Sequence, residues 1–178
     1  MSCPEGDGGE GSKKVTLRTS DGEEFVVDEE VAARSQTLKL IIDDGVTGAS
    51  IPLENVTSGV LPKVIEYCEK HAQVDAKHAA FLRPFCDGTE LMDTVIDEEL
   101  NSWDAKFVNV DQATLFEIML AANYLEIKSL LDLTCKTVAD KMRGKSIKEI
   151  RDIFHIQNDY TPEEEEEVQR ENQWAFTD

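Results

Sequence analysis

Apolar and polar residues alternate near the start of the chain, as they do in a strand that buries one face. Residues 13–18 place Val15 and Leu17 on the same side, and residues 24–27 return as a second short strand. The turn-forming run Ser-Asp-Gly lies between the two, so the pattern predicts a β-hairpin. Residues 50–53 predict a third short strand.

Helical spacing of apolar residues begins after the hairpin. Residues 28–34 predict a short helix with Asp28 as its N-cap, and a second short helix over 37–43 is expected to end at Gly45. Residues 57–71 carry a longer apolar stripe at helical spacing. Short strands and short helices therefore come first along the chain.

Four helices are predicted in close succession after residue 110, each opened by residues that satisfy free backbone N–H groups. The N-terminal signals are Asp111, Ser129 with Asp132, Ser146 with Glu149, and Thr161 with Glu164. Before them, residues 73–104 predict a long, irregular insertion. Its part from 78 to 98 is too apolar to remain comfortably in water, so we expect some of it to dock on the domain or on a partner.

The helix predicted over residues 111–125 is apolar on two faces. Asn123 and Tyr124 add a polar amide and an amphipathic phenol on one of them, which suits an interface better than a core. One interpretation is a central core helix covered on both sides. The other is that one face packs inward while the second receives a partner. The members of that second face are Phe116, Leu120, Tyr124 and, beyond the helix, Ile127.

The C-terminal helix cannot bury itself, because Val168 is the only apolar residue between Pro162 and Asn172. Two large aromatic residues, Trp174 and Phe176, follow it at once, and tryptophan is a favoured interface anchor. Trp174 folding back on its own domain is the simpler interpretation. We favour a surface that another protein completes.

Charge excludes whole classes of partner. The 178 residues include 37 acidic and 18 basic side chains, a formal charge of −19, which is repelled by nucleic acid and by anionic membrane surfaces. The first ten residues lack the apolar stretch of a signal peptide, and the four cysteines form no close pair. Reduced thiols in the cytosol or nucleus are therefore expected, and neither a metal nor a cofactor site is predicted.

Long ordered stretches resemble the SKP family of F-box adaptors, the linker subunits of SCF ubiquitin ligases. These stretches are VDQATLFE at 110–117, AANYL at 121–125, LDLTCKTVA at 131–139, NDYTPE at 158–163 and RENQW at 170–174. The first 70 residues or so share the resemblance, and the ending Trp-Ala-Phe resembles plant members in particular.

The resemblance implies a fold, a division of the chain and a function. The fold is α+β and mainly helical, a BTB/POZ-type domain with a three-stranded sheet extended by two C-terminal helices. Residues 1–12 would be a mobile acidic tail, 13–128 the BTB/POZ-like domain with its insertion, and 129–178 the F-box-binding extension. The function would be that of a non-catalytic adaptor in nucleus and cytoplasm, bridging a cullin N-terminal domain to F-box substrate receptors.

The resemblance also implies the contact residues and the further partners. Asn123 and Tyr124 match the family's cullin contacts, and Trp174 matches its F-box contact. The helical face on which a residue is predicted to lie is the only argument for the further contacts. It adds Phe116, Leu120 and Ile127 on the cullin side, and Val138, Ile150, Ile153, Phe154 and Phe176 on the F-box side. A RING subunit and a ubiquitin-conjugating enzyme would join indirectly, and an uncovered F-box surface would allow weak homodimers of the free chain.

Two alternative functions stay open. An adaptor of the elongin-C kind would lack the last two helices, so the segment after Gly144 argues against it. An acidic histone chaperone would bind basic proteins in a salt-sensitive way and would tolerate loss of Trp174. An enzyme is the least favoured class, because no nucleophile lies near His155 and no other motif carries catalytic chemistry.

Overall fold

A computed structural model describes the chain over residues 13–45, 50–81 and 89–175, with side chains described throughout these ranges except at 80, 81, 89–94 and 175. Three strands are found in these ranges: β1 (Lys14–Thr19), β2 (Glu24–Asp28) and β3 (Ile51–Leu53). They form one sheet in the order β2-β1-β3. β1 pairs antiparallel with β2, so the predicted hairpin is present, and parallel with β3.

A clasp of polar groups fixes the hairpin turn. Gly22 adopts a left-handed φ of 89°, which suits a residue without a side chain. The Asp21 carboxylate beside it accepts hydrogen bonds from the backbone N–H and the hydroxyl of Ser58, in the loop ahead of the next long helix. These bonds hold the pKa of Asp21 down at about 2. The turn is thereby tied to the rest of the domain.

Eight α-helices are found in the described residues. They are α1 (Glu29–Ala32), α2 (Gln36–Asp43), α3 (Leu61–Phe81), α4 (Thr89–Phe107), α5 (Gln112–Tyr124), α6 (Lys128–Met142), α7 (Ile147–Phe154) and α8 (Pro162–Glu171), followed by a 3-10 turn at Gln173–Ala175. Asp111, Ser146 and Thr161 cap α5, α7 and α8 as predicted, the last two through complete capping boxes.

The prediction of an irregular insertion over 73–104 is wrong for the parts of it that are described. α3 continues ten residues past the predicted end, and α4 begins at Thr89, so residues 73–81 and 89–104 are helical. Within α4, Ile96 is buried, whereas Val95 is more than half exposed. The insertion's remaining apolar side chains are not among those that the structure describes. The hypothesis that they dock on the domain or on a partner therefore stays a prediction.

The physical reason for these long helices is a set of contacts between α3 and α4. The ring of Tyr67 in α3 lies 5.6 Å from that of Phe107 and 6.4 Å from that of Trp103, both in α4, measured between centroids. His71 Nε2 lies 3.0 Å from Asp104 Oδ1, with both side chains largely buried. Tilted aromatic contacts and a largely buried polar pair thus give each helix a partner that its own sequence pattern does not reveal.

Two predicted helix starts are corrected by the structure. Asp28 occupies the N-cap position of α1, but its side chain makes no capping hydrogen bond there. Ser129 does not cap α6, which already begins at Lys128. Its hydroxyl is instead hydrogen-bonded to the phenol of Tyr67, whose pKa is raised to about 12 by burial. The side chain is used for a long-range contact rather than a local one.

The chain divides into two compact units, unit 1 (Met1–Thr137) and unit 2 (Val138–Asp178). Unit 1 contains the sheet, α1 to α5 and a core of apolar side chains that includes Leu17, Leu61 and Ile118. Unit 2 contains the end of α6 with α7 and α8. No helix in the described ranges is both long and apolar enough to cross a membrane.

Candidate partner-binding surfaces

Helix α5 has the two faces that its sequence predicts. Leu115, Ile118, Ala122 and Leu125 are 1% exposed or less, so one face forms the centre of the unit 1 core. On the other face Leu120 is 66% exposed. An apolar side chain this open on a helix otherwise packed into the core marks an uncovered surface.

The residues that surround Leu120 define what we call the α5 surface: Phe116, Leu120, Asn123 and Tyr124. Phe116 and Tyr124 are half-buried and Asn123 is exposed. The spacing of three and four residues places these side chains side by side on one helical face. The surface thus combines apolar area with one amide and one phenol.

Ile127 is predicted to lie on the same surface, but it is only 2% exposed and lies in the core. Its assignment to the partner-binding face of the helix is therefore wrong. The helix ends before it: Glu126 takes a left-handed φ of 52°. The N–H of Ile127 then donates to Ala122 O at 2.9 Å and that of Glu126 to Asn123 O at 3.2 Å. This is a Schellman motif, in which the residue after the left-handed one turns back toward the helix and packs inward.

The end of α5 is also held from α2. Ser35, 1% exposed, accepts a hydrogen bond from the Leu38 N–H at 3.1 Å and donates from its hydroxyl to the Leu125 carbonyl. Thr37 donates to the Tyr124 carbonyl at 3.3 Å. These contacts position the turn that carries Asn123 and Tyr124. They join residues about 90 positions apart, so no local sequence signal could have revealed them.

Unit 2 presents the second candidate surface, because none of the side chains described between residues 138 and 174 is buried. The predicted contacts Val138, Ile150, Ile153 and Phe154 are all half-buried. Trp174 is 79% exposed. Phe176, also predicted, lies outside the described residues. A segment with this many large apolar side chains and no buried one lacks a core of its own.

Local hydrogen bonds, rather than burial, define the helices of unit 2. The carboxylates of Glu149 and Glu164 accept from the backbone N–H and hydroxyl of Ser146 and Thr161, and these bonds lower the pKa of both glutamates. α7 ends in a second Schellman motif, with His155 at φ 53°. His155 therefore has a backbone role, and its side chain is exposed.

No metal site is indicated among the residues that the structure describes. In the described ranges, 13–45, 50–81 and 89–175, no three His, Cys, Asp or Glu side chains are grouped as a metal site would need. The small cavity inside unit 1, lined by Leu17, Val27, Cys68 and other apolar groups, is part of the core. The chemistry available at both candidate surfaces is apolar burial with a few hydrogen bonds.

A BTB-like domain with one uncovered helix face, extended by a helical unit without a core, defines a two-partner adaptor. Comparison with known proteins agrees with that class. A family model described as the tetramerisation domain of the Skp1 family matches residues 13–73, and one described as its dimerisation domain matches residues 128–175.

Curated relatives match over nearly the whole chain. SKP1-like protein 1 of Oryza sativa subsp. japonica is 57% identical over 174 residues, which cover 94% of this chain and 98% of the relative. SKP1-like protein 1A of Arabidopsis thaliana is 53% identical over 165 residues, covering 93% and 98%. The chain therefore belongs to the Skp1 family, the adaptor subunits of SCF ubiquitin ligases, which bind F-box proteins and cullins.

These findings confirm the family resemblance, its plant-like character and the mainly helical α+β fold of BTB type. The assignment of individual residues to a cullin or an F-box protein stays a prediction. The same holds for the domain boundaries at 12, 128 and 178, since the matched ranges and the compact units divide the chain at different residues.

Proposed function

We propose that the α5 surface binds the N-terminal domain of a cullin, and that unit 2 binds the F-box helices of a substrate receptor. The observation that supports this most is the lack of any buried side chain among those described from 138 to 174. Residues Val138, Ile150, Ile153, Phe154 and Trp174 would then be covered by the receptor, at a gain of about 25 cal/mol for each Å² of apolar area.

The α5 surface suits a different kind of contact. Leu120 supplies apolar area at its centre, and Asn123 and Tyr124 supply hydrogen-bonding groups beside it, as is usual where an apolar interface centre meets a polar rim. Without Ile127, which is buried, Phe116 and Leu120 are the apolar members. Separate surfaces in separate units would let one chain hold both partners at once.

The adaptor role is non-catalytic in this proposal. Ubiquitin transfer would belong to the RING subunit and its ubiquitin-conjugating enzyme, which this chain would meet only through the cullin. We place the protein in nucleus and cytoplasm, where such ligases act. In the absence of a receptor, two copies would pair weakly through unit 2, because exposed apolar side chains associate at high concentration.

Co-purification with a purified F-box protein and a cullin N-terminal fragment tests the assignment. Asn123→Lys/Tyr124→Lys should abolish cullin capture and leave F-box capture intact, because two charges enter an interface that would desolvate them. Trp174→Ala should weaken F-box capture about tenfold or more and leave cullin capture intact, as expected of an exposed aromatic anchor.

Matched controls separate these effects from misfolding and from charge alone. Asp132→Lys changes the net charge by the same amount as the double variant, at an exposed position on α6. Tyr160→Ala removes another exposed aromatic side chain from unit 2. Both should capture both partners normally. Failure of the wild-type chain to capture either partner would refute the proposal, and histones in a salt series would then test the acidic-chaperone alternative.

A further inference from the structure

The junction between α7 and α8 is built around one carboxylate. Arg151 Nη1 in α7 donates to Glu165 Oε1 in α8 at 2.9 Å, and Asn158 Nδ2 in the connecting segment donates to Glu165 Oε2 at 3.5 Å. Asn158 Oδ1 in turn accepts from the Tyr160 N–H at 3.3 Å. Glu165 therefore links both helices and the segment between them.

This junction matters because burial contributes little order to the described part of unit 2. A helix of ten residues such as α8 is marginal by itself in water. No described side chain between 138 and 174 is buried, so apolar packing alone does not set the angle of α8 against α7. The Arg151 and Glu165 side chains are 24% and 37% exposed, which leaves their attraction only partly screened.

We infer that Glu165 is a positioning residue: with Arg151 and Asn158 it holds α8, and with it Trp174, in the orientation that receives an F-box protein before that protein arrives. The inference rests on the F-box assignment proposed above and deepens it. Binding to a chain already in the competent orientation avoids an ordering cost, because apparent affinity falls with the fraction of molecules that are competent.

The inference predicts a kinetic signature. If Glu165 acts by holding α8 in place, its loss reduces the competent fraction, so the association rate falls while the dissociation rate stays near that of the wild type. A residue that contacts the receptor directly would instead raise the dissociation rate. A partly exposed ion pair of this kind corresponds to a loss of about three- to fivefold in association rate.

A charge swap provides the test on the full-length chain. Glu165→Arg and Arg151→Glu each place like charges face to face, whereas Arg151→Glu/Glu165→Arg restores an opposite pair. Glu166→Arg is the matched control, with the same charge change at the neighbouring, exposed position of α8. Association and dissociation rates with a purified F-box protein are measured by biolayer interferometry, and hydrogen exchange of α8 amides is measured in the free chain.

We expect both single variants to associate about three- to fivefold more slowly, with faster α8 exchange, and the double variant to return to within about twofold of wild type on both counts. Glu166→Arg should match the wild type, and all variants should bind the cullin fragment equally. Unchanged association in the single variants, a double variant as slow as they are, or equal slowing by Glu166→Arg would overturn the inference. If the wild-type chain binds no F-box protein, the proposed function fails instead, and exchange in α8 still reports on the junction.

Discussion

Ser35→Ala is expected to destabilise unit 1 by about 2–4 kcal/mol. The Ser35 hydroxyl has two roles at a position only 1% exposed: it caps α2 at the Leu38 N–H and donates to the Leu125 carbonyl at the end of α5. Loss of an N-cap costs about 1 kcal/mol, and a buried carbonyl left without its donor costs about 1–3 kcal/mol more.

Urea unfolding followed by tryptophan fluorescence measures this effect. The chain has two tryptophans, and a Trp174→Phe background leaves Trp103 in α4 as the reporter of unit 1. The expected loss corresponds to a fall in Tm of about 5–15 °C for a domain of this size. Unfolding curves should keep the wild-type dependence on urea concentration, because the surface exposed on unfolding does not change.

Thr37→Val is the control for this prediction, because it also removes a hydroxyl that reaches the end of α5. Its hydrogen bond to Tyr124 is longer, at 3.3 Å, and only partly buried, so a loss of about 1 kcal/mol or less is expected. A Ser35→Ala loss below about 1 kcal/mol, or an equal loss in both variants, would refute the reasoning that burial makes the Ser35 bonds the more valuable ones.

Three further outcomes follow from single features. His155→Gly should stabilise unit 2 by about 0.5–1 kcal/mol in thermal unfolding, because glycine adopts the left-handed conformation without strain; a destabilised variant would contradict this. The stabilising clasp of Asp21 with Ser58 is present above the ordinary carboxyl pKa of 3.8 and is lost as pH falls through about 2, so Asp21→Asn should flatten the stability–pH curve between those values. In timed thiol labelling mapped by mass spectrometry, exposed Cys135 should react well before Cys68, whose pKa is raised to about 12 by burial; equal rates would argue against the packing around Cys68.

The sequence predicts best what is encoded within a few residues. The caps of α5, α7 and α8 are recognisable because the side-chain oxygen of each N-cap residue accepts a hydrogen bond from the backbone N–H three residues later. The hairpin and the two faces of α5 follow from equally local periodicity. The sequence therefore predicts where these helices begin and that one face of α5 is left open to a partner.

The features that sequence reasoning missed depend on distant or unusual contacts. Ile127 was misplaced because Glu126, a residue with no preference for the left-handed conformation, ends the helix and turns the chain inward. The helices over 73–104 were missed because they are stabilised across α3 and α4 by groups such as Tyr67 with Phe107 and His71 with Asp104. Neither contact leaves a pattern within one helix.

The absence of buried side chains over 138–174 has a consequence for how long the protein survives. Any protein that covers this segment adds its binding free energy to the segment's stability, about 2.7 kcal/mol when the free partner is at a hundred times its Kd. Surplus chains without a partner would open first at their C-terminal end and be cleaved there by proteases. The supply of receptors would thereby set the amount of adaptor that a cell can keep.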